Sequence, residues 1–145
     1  MLPLRPDHRR NALVALATDF EVFSSRILRI LPKAGGLPVP FAPNEAQRYL
    51  HRRIETQREA GAGRVRAIVL KGRQQGISTY TEGRFYWRLS HQHGKRAMIL
   101  THEQTATDNL FGMVSRFWEL APAEYRPHLG TSNAKELVFD VLKSR

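Results

Sequence analysis

The stretch Val65 to Glu82 constrains the chain most: Val-Arg-Ala-Ile-Val-Leu-Lys-Gly-Arg-Gln-Gln-Gly-Ile-Ser-Thr-Tyr-Thr-Glu. Ala67 to Leu70 form a short apolar run of the kind buried on both faces in a parallel sheet. Lys71 to Gly76 follow with two glycines, Gly72 and Gly76, which let the backbone turn sharply and approach a ligand closely. From Ser78 the periodicity becomes helical, through Tyr80, Phe85, Tyr86 and Leu89. Strand, glycine loop and helix N-terminus together predict a phosphate site, because loop N–H groups and the helix dipole both favour an anion there.

Set against the phosphate-loop pattern G-x-x-x-x-G-K-S/T, Gly76 takes the last glycine and Ser78 the magnesium-binding hydroxyl. Lys71 stands where the first glycine belongs, and Ile77 where the lysine belongs. A lysine that begins the loop reaches the same phosphates by folding back, and Arg73 adds a second cation.

Lys-Gly-Arg-Gln-Gln-Gly-Ile-Ser-Thr resembles the deviant Walker A loop of the large terminase subunits of tailed bacteriophages, the motors that package DNA into procapsids. The resemblance runs from about Phe41 to the C-terminus. It implies an α/β fold: an incomplete P-loop NTPase (RecA-like) parallel sheet with flanking helices and an N-terminal helical lead-in. It implies ATP and Mg²⁺ as ligands, with Lys71 and Arg73 on the β/γ-phosphates and Arg73 as the catalytic cation. Gly72, Gln74, Gln75, Gly76 and Ile77 would present backbone N–H groups. Ser78, with Thr79 beside it, would reach the metal. The implied partners are double-stranded DNA, the small terminase subunit and the portal protein. The implied location is the host cytoplasm, at the procapsid portal.

The bulk properties agree with a polyanionic partner. Lys and Arg number 23 against 13 acids, for a net charge of +10 over 145 residues. The absence of cysteine excludes disulfides and cysteine-bound metals. No apolar run is long enough to cross a bilayer, so no membrane partner is expected.

Two segments are expected, residues 1–40 and 41–145. In the first, Asp7 caps a helix with apolar positions at Leu13, Leu16, Phe20, Phe23, Ile27 and Ile30, and with Arg9, Arg10, Arg26 and Arg29 on its polar face. A proline-rich connector, Pro32 to Pro43, closes it. The second opens with a helix over 44–58. Asn44 and Gln47 stand in capping-box spacing there. By resemblance Gln47 is also the candidate adenine reader, with Phe41 packing on the base. A cap and a reader both suit this glutamine.

Ala97 to Leu100 predict a second buried strand, and Thr101 a helix cap. Leu110, Met113, Val114, Phe117 and Trp118 form the apolar stripe of the following helix. Phe85, Tyr86 and Trp87 read as core, and His91 and His93 as a solvated loop. Glu136 to Asp140 predict a further strand, with Asp140 a strand-end residue. Walker B requires Asp-Glu in series, and Val141 follows Asp140. The chain holds no Walker B and no nuclease carboxylates, so a missing C-terminal half or a second chain is expected to supply them. Hydrolysis by this chain alone is expected to be absent or very slow. Two other readings remain: a small basic DNA-binding or structural phage protein, and a helicase-like P-loop motor.

Overall fold

A computed structural model describes residues 6–32, 34–133 and 136–145, with the side chains of residues 6–9 left aside. The expected Asp7 cap and the Arg9 side chain therefore lie outside the described residues. The described chain is built on five helices: α1 (Pro6–Thr18), α2 (Phe20–Ile27), α3 (Glu45–Ala60), α4 (Ile77–His91) and α5 (Gln104–Leu120). Two short antiparallel pairs complete it: β1 (Arg29–Ile30) with β2 (Val39–Pro40), and β3 (Thr131–Ser132) with β4 (Leu137–Val138).

The expected lead-in helix is two helices. Asp19 breaks it, with its carboxylate accepting from the N–H groups of Glu21 and Val22 at 2.8 and 3.1 Å. A short acceptor at this position satisfies the orphan donors of a new helix. The break turns α2 so that Phe20, Phe23 and Ile27 are all buried.

α4 is the central helix, packed against α2, α3 and α5. Gly83 lets it approach closely. A Cβ there would lie 3.0 Å from Leu28 Cδ1 and 3.4 Å from Phe41 Cε1. Tyr80, Tyr86 and Trp87 enter one core with Phe20, Phe23, Leu28, Phe41, Phe117 and Phe139. Trp87 Nε1 donates to the Leu16 carbonyl at 2.8 Å, tying α4 to α1. Residues on both sides of the proline-rich connector share this core, so the connector separates elements rather than cores.

The expected parallel α/β sheet is overturned. Among the described residues no parallel pair exists, and neither antiparallel pair includes Val65–Leu70 or Ala97–Leu100. Both segments lie outside every helix and strand among the described residues. Ile68 and Leu70 are wholly exposed, and Met98 and Leu100 nearly so. An apolar run specifies a strand only where a neighbour takes up its ladder, and here none does. The RecA-like architecture is therefore not the fold of this chain.

Smaller expectations also shift. α5 starts at Gln104, with Glu103 at its N-cap position. Thr101 instead hydrogen-bonds the Thr107 hydroxyl at 2.7 Å. His91 is the last residue of α4 rather than a loop residue, and its ring meets Phe23 edge-on at 4.8 Å. Asp140 sits in the turn after β4, paired with His128 Nδ1 at 2.8 Å. No helix of the described residues is long and apolar enough to cross a membrane.

Candidate phosphate-binding loop

The loop Lys71 to Gly76 joins the segment Val65–Leu70 to α4. Two of its residues take left-handed backbone angles: Gln74 at φ +64° and Gly76 at φ +72°. Alternation of this kind turns successive N–H groups toward one side and makes an anion-binding concavity. Gly76 is also the N-cap of α4, and no side chain caps that end. The N–H groups of Ile77, Ser78 and Thr79 have no backbone acceptor among the described residues. They are the orphan donors of a helix start, where the dipole is positive.

Lys71 and Arg73 are exposed, with no hydrogen bond or ion pair among the described residues. Gly72, Gln74 and Gln75 are exposed as well. Ile77 turns into the core. Ser78 and Thr79 are half-buried. The loop thus groups two unpaired cations with free N–H donors, a donor set that fits the phosphates of ATP. For Mg²⁺ the described residues offer the Ser78 hydroxyl and no cluster of three acidic or histidine ligands. That set suits a magnesium ion carried mainly by phosphate oxygens and water.

Gln47 lies against this loop. The capping box with Asn44 is present: Gln47 N–H donates to Asn44 Oδ1 at 3.0 Å, and Asn44 N–H to Gln47 Oε1 at 2.8 Å. The other end of the Gln47 amide, Nε2, donates to the Gly76 carbonyl at 2.7 Å. Asn44 Nδ2 also donates to the Gln75 carbonyl, at 3.2 Å. Both ends of the buried Gln47 amide are engaged, so in this arrangement it positions the loop. Phe41 is buried against Phe20, 6.5 Å between ring centroids, and offers no face to a base. The polar segment Thr101 to Glu103 makes no hydrogen bond to the loop.

A second brace holds α3 to α4. Arg84 pairs with Glu55 through Nη2, and its Nη1 lies 3.2 Å from His51 Nδ1. The Tyr80 hydroxyl lies 3.0 Å from the same nitrogen. The Arg84 contact requires a neutral imidazole that accepts at Nδ1, and the Tyr80 hydroxyl can then donate to the same nitrogen. Burial, and then the Arg84 charge, lower the His51 pKa. Burial alone would raise Glu55, but hydrogen bonds from Arg58 and Arg84 hold it below the ordinary value.

Sequence reasoning missed two features here. Asn44 reads as a cap, yet its amide also grips the loop. Glu82 has no role in the sequence analysis, yet it is 4% exposed, and its Oε2 has no hydrogen-bond partner among the described residues. Glu82 stands one turn beyond Ser78, and the two line one cleft of about 270 Å³ with Met98, Ile99 and Leu100. It also borders a larger cleft of about 840 Å³, between α4 and α5. Burial pushes its pKa up to about 7. The available signal was its place four residues after Ser78 and one turn before Phe85 and Tyr86.

No family model matches the chain, and no curated protein matches it.

Proposed function

We propose that Lys71 to Thr79 bind the triphosphate of ATP with Mg²⁺. We further propose that the chain is the nucleotide-binding part of a large terminase subunit, which packages double-stranded DNA in the host cytoplasm. Its partners would be the small terminase subunit, the portal protein, and a missing C-terminal half or second chain. The observation that carries this reading is the uncapped start of α4 behind a loop holding two left-handed residues and two unpaired cations. The resemblance of the loop to the deviant Walker A of terminases supports the nucleotide and the DNA-packaging role. Phosphate recognition of this kind needs the loop and the helix start, and both are formed without a parallel sheet.

In this reading Lys71 and Arg73 neutralise the β/γ-phosphates. Arg73 would also stabilise charge that develops on the transferred phosphoryl group. Ser78 contributes a hydroxyl to the Mg²⁺ shell. Asn44 and Gln47 fix the loop's shape. The sequence holds no Asp-Glu pair of the Walker B kind to orient water, so turnover by the chain alone is very slow.

Calorimetry with ATP and Mg²⁺ tests the site. Saturable binding, weakened at least about tenfold in Lys71→Ala, is expected, since one charge-assisted phosphate contact contributes roughly 1.5–3 kcal/mol. Lys71 is exposed and unpaired, so the variant keeps its fold. No binding by the folded wild type overturns the proposal. A second reading, favoured by the +10 charge, is a DNA-binding protein whose glycine loop is only a turn. Its mark is DNA affinity that falls steeply with salt and ignores ATP.

A further inference from the structure

Two segments outside every helix and strand, Val65–Leu70 and Arg96–Thr101, combine three properties. Alternate apolar side chains face solvent: Ile68 and Leu70 are fully exposed, Leu100 83% and Met98 77%, while Ala97 and Ile99 turn inward and pack against the core. Their backbones are largely unpaired. No backbone–backbone hydrogen bond among the described residues engages residues 67–71 or 98–101; Ala97 N–H donates to the Arg145 carbonyl at 2.9 Å, and Arg66 N–H to Gln57 Oε1 at 2.5 Å. Their flanks are cationic: Arg64, Arg66, Lys71, Arg73, Lys95 and Arg96 are all exposed, and none makes an ion pair among the described residues.

Strand edges in folded proteins are normally blunted by charge, proline, bulges or a covering element. Here charge sits only at the ends, and the middle of each segment is open. An extended polypeptide satisfies every one of these features at once. Its amides complete the ladder, its side chains cover Ile68, Leu70, Met98 and Leu100, and acids at its ends meet the basic flanks. A single-stranded nucleic acid would meet the cations but leave the amides and aliphatic side chains unmatched.

We propose that Val65–Leu70 and Arg96–Thr101 are docking edges for extended strands of a partner polypeptide, apolar and β-branched in the middle and acidic at the ends. This inference is independent of nucleotide binding and survives if the loop binds no ATP.

Hydrogen exchange read by mass spectrometry tests it. The full chain is titrated with a short synthetic peptide of Val and Ile at its centre and Asp and Glu at both ends. The amides of residues 67–71 and 98–101 are expected to exchange freely without peptide, and roughly tenfold slower or more at saturation. Replacing the peptide's acids by Gln should weaken binding, and Ile68→Asp or Leu100→Asp should abolish protection at its own segment. Both side chains lie in solvent, so these variants keep the fold. Slow exchange in the free chain would overturn the proposal, because the segments would already be paired. So would protection that grows with protein concentration alone, which marks a second copy as occupant. Equal protection by anionic lipid vesicles, or none by the peptide, would overturn it too.

Discussion

The side-chain amide of Gln47 spans two elements: its Oε1 accepts the Asn44 N–H at 2.8 Å, and its Nε2 donates to the Gly76 carbonyl at 2.7 Å. One buried amide therefore closes the capping box of α3 and fixes the residue from which α4 starts. The geometry of the candidate phosphate loop depends on this bridge between positions 29 residues apart.

Gln47→Leu is expected to destabilise the fold by roughly 1–3 kcal/mol, the cost of leaving buried groups unpaired. As a loop anchor, Gln47 should affect ATP, GTP and tripolyphosphate alike. Calorimetry with the three ligands checks this. A loss confined to ATP, with unchanged thermal stability, would instead return Gln47 to the role of adenine reader.

Gly76→Ala and Gly94→Ala form a matched pair. Both glycines have positive φ, +72° and +70°. Each alanine meets about 1–2 kcal/mol of left-handed strain. A Cβ at Gly94 meets nothing within 4 Å, whereas one at Gly76 lies 2.5 Å from Gln47 Nε2. Gly76→Ala should thus unfold at lower denaturant than Gly94→Ala. Equal midpoints would mean that the Gln47 bridge contributes little.

Acid should weaken the contact between α3 and α4. The folded-state pKa of His51 is lowered from 6.5, so the stability tied to neutral His51 is present above pH 6.5 and lost as pH falls through the folded value. His91, lowered by burial, adds loss in the same direction. Protonated His51 would face Arg84 and lose the hydrogen bond that it accepts from it, with Glu55, Glu21 and Asp19 opposing in part. Denaturant titrations between pH 7 and 5 should show falling stability in the wild type and a flatter limb in His51→Phe.

Glu82 works in the opposite sense. Its folded-state pKa is raised from 4.5 to about 7, so its contribution is full below pH 4.5 and lost as pH rises through about 7. At pH 8 the buried carboxylate costs up to about 3 kcal/mol relative to acid conditions. Glu82→Gln should remove that loss, and should be more stable than the wild type at pH 8 but not at pH 4. Parallel pH curves for the two proteins would place the carboxyl in water.

The local features of this chain were legible in its residues, because each is closed within one or two helical turns. The Asn44–Gln47 box, the Leu110–Trp118 stripe and the aromatic core positions of α4 all depend on spacing along a single helix. The glycine loop and the helix start behind it were legible for the same reason. Tertiary structure decided everything that needed a distant partner. It placed Gln47 under Gly76, buried Phe41 beside Phe20, and left Glu82 unpaired at two clefts. It also decided the fate of Val65–Leu70 and Ala97–Leu100. A helix closes its own hydrogen bonds, so its pattern suffices to specify it. A strand borrows them from a neighbour that its own sequence does not encode, and among the described residues no such neighbour is provided.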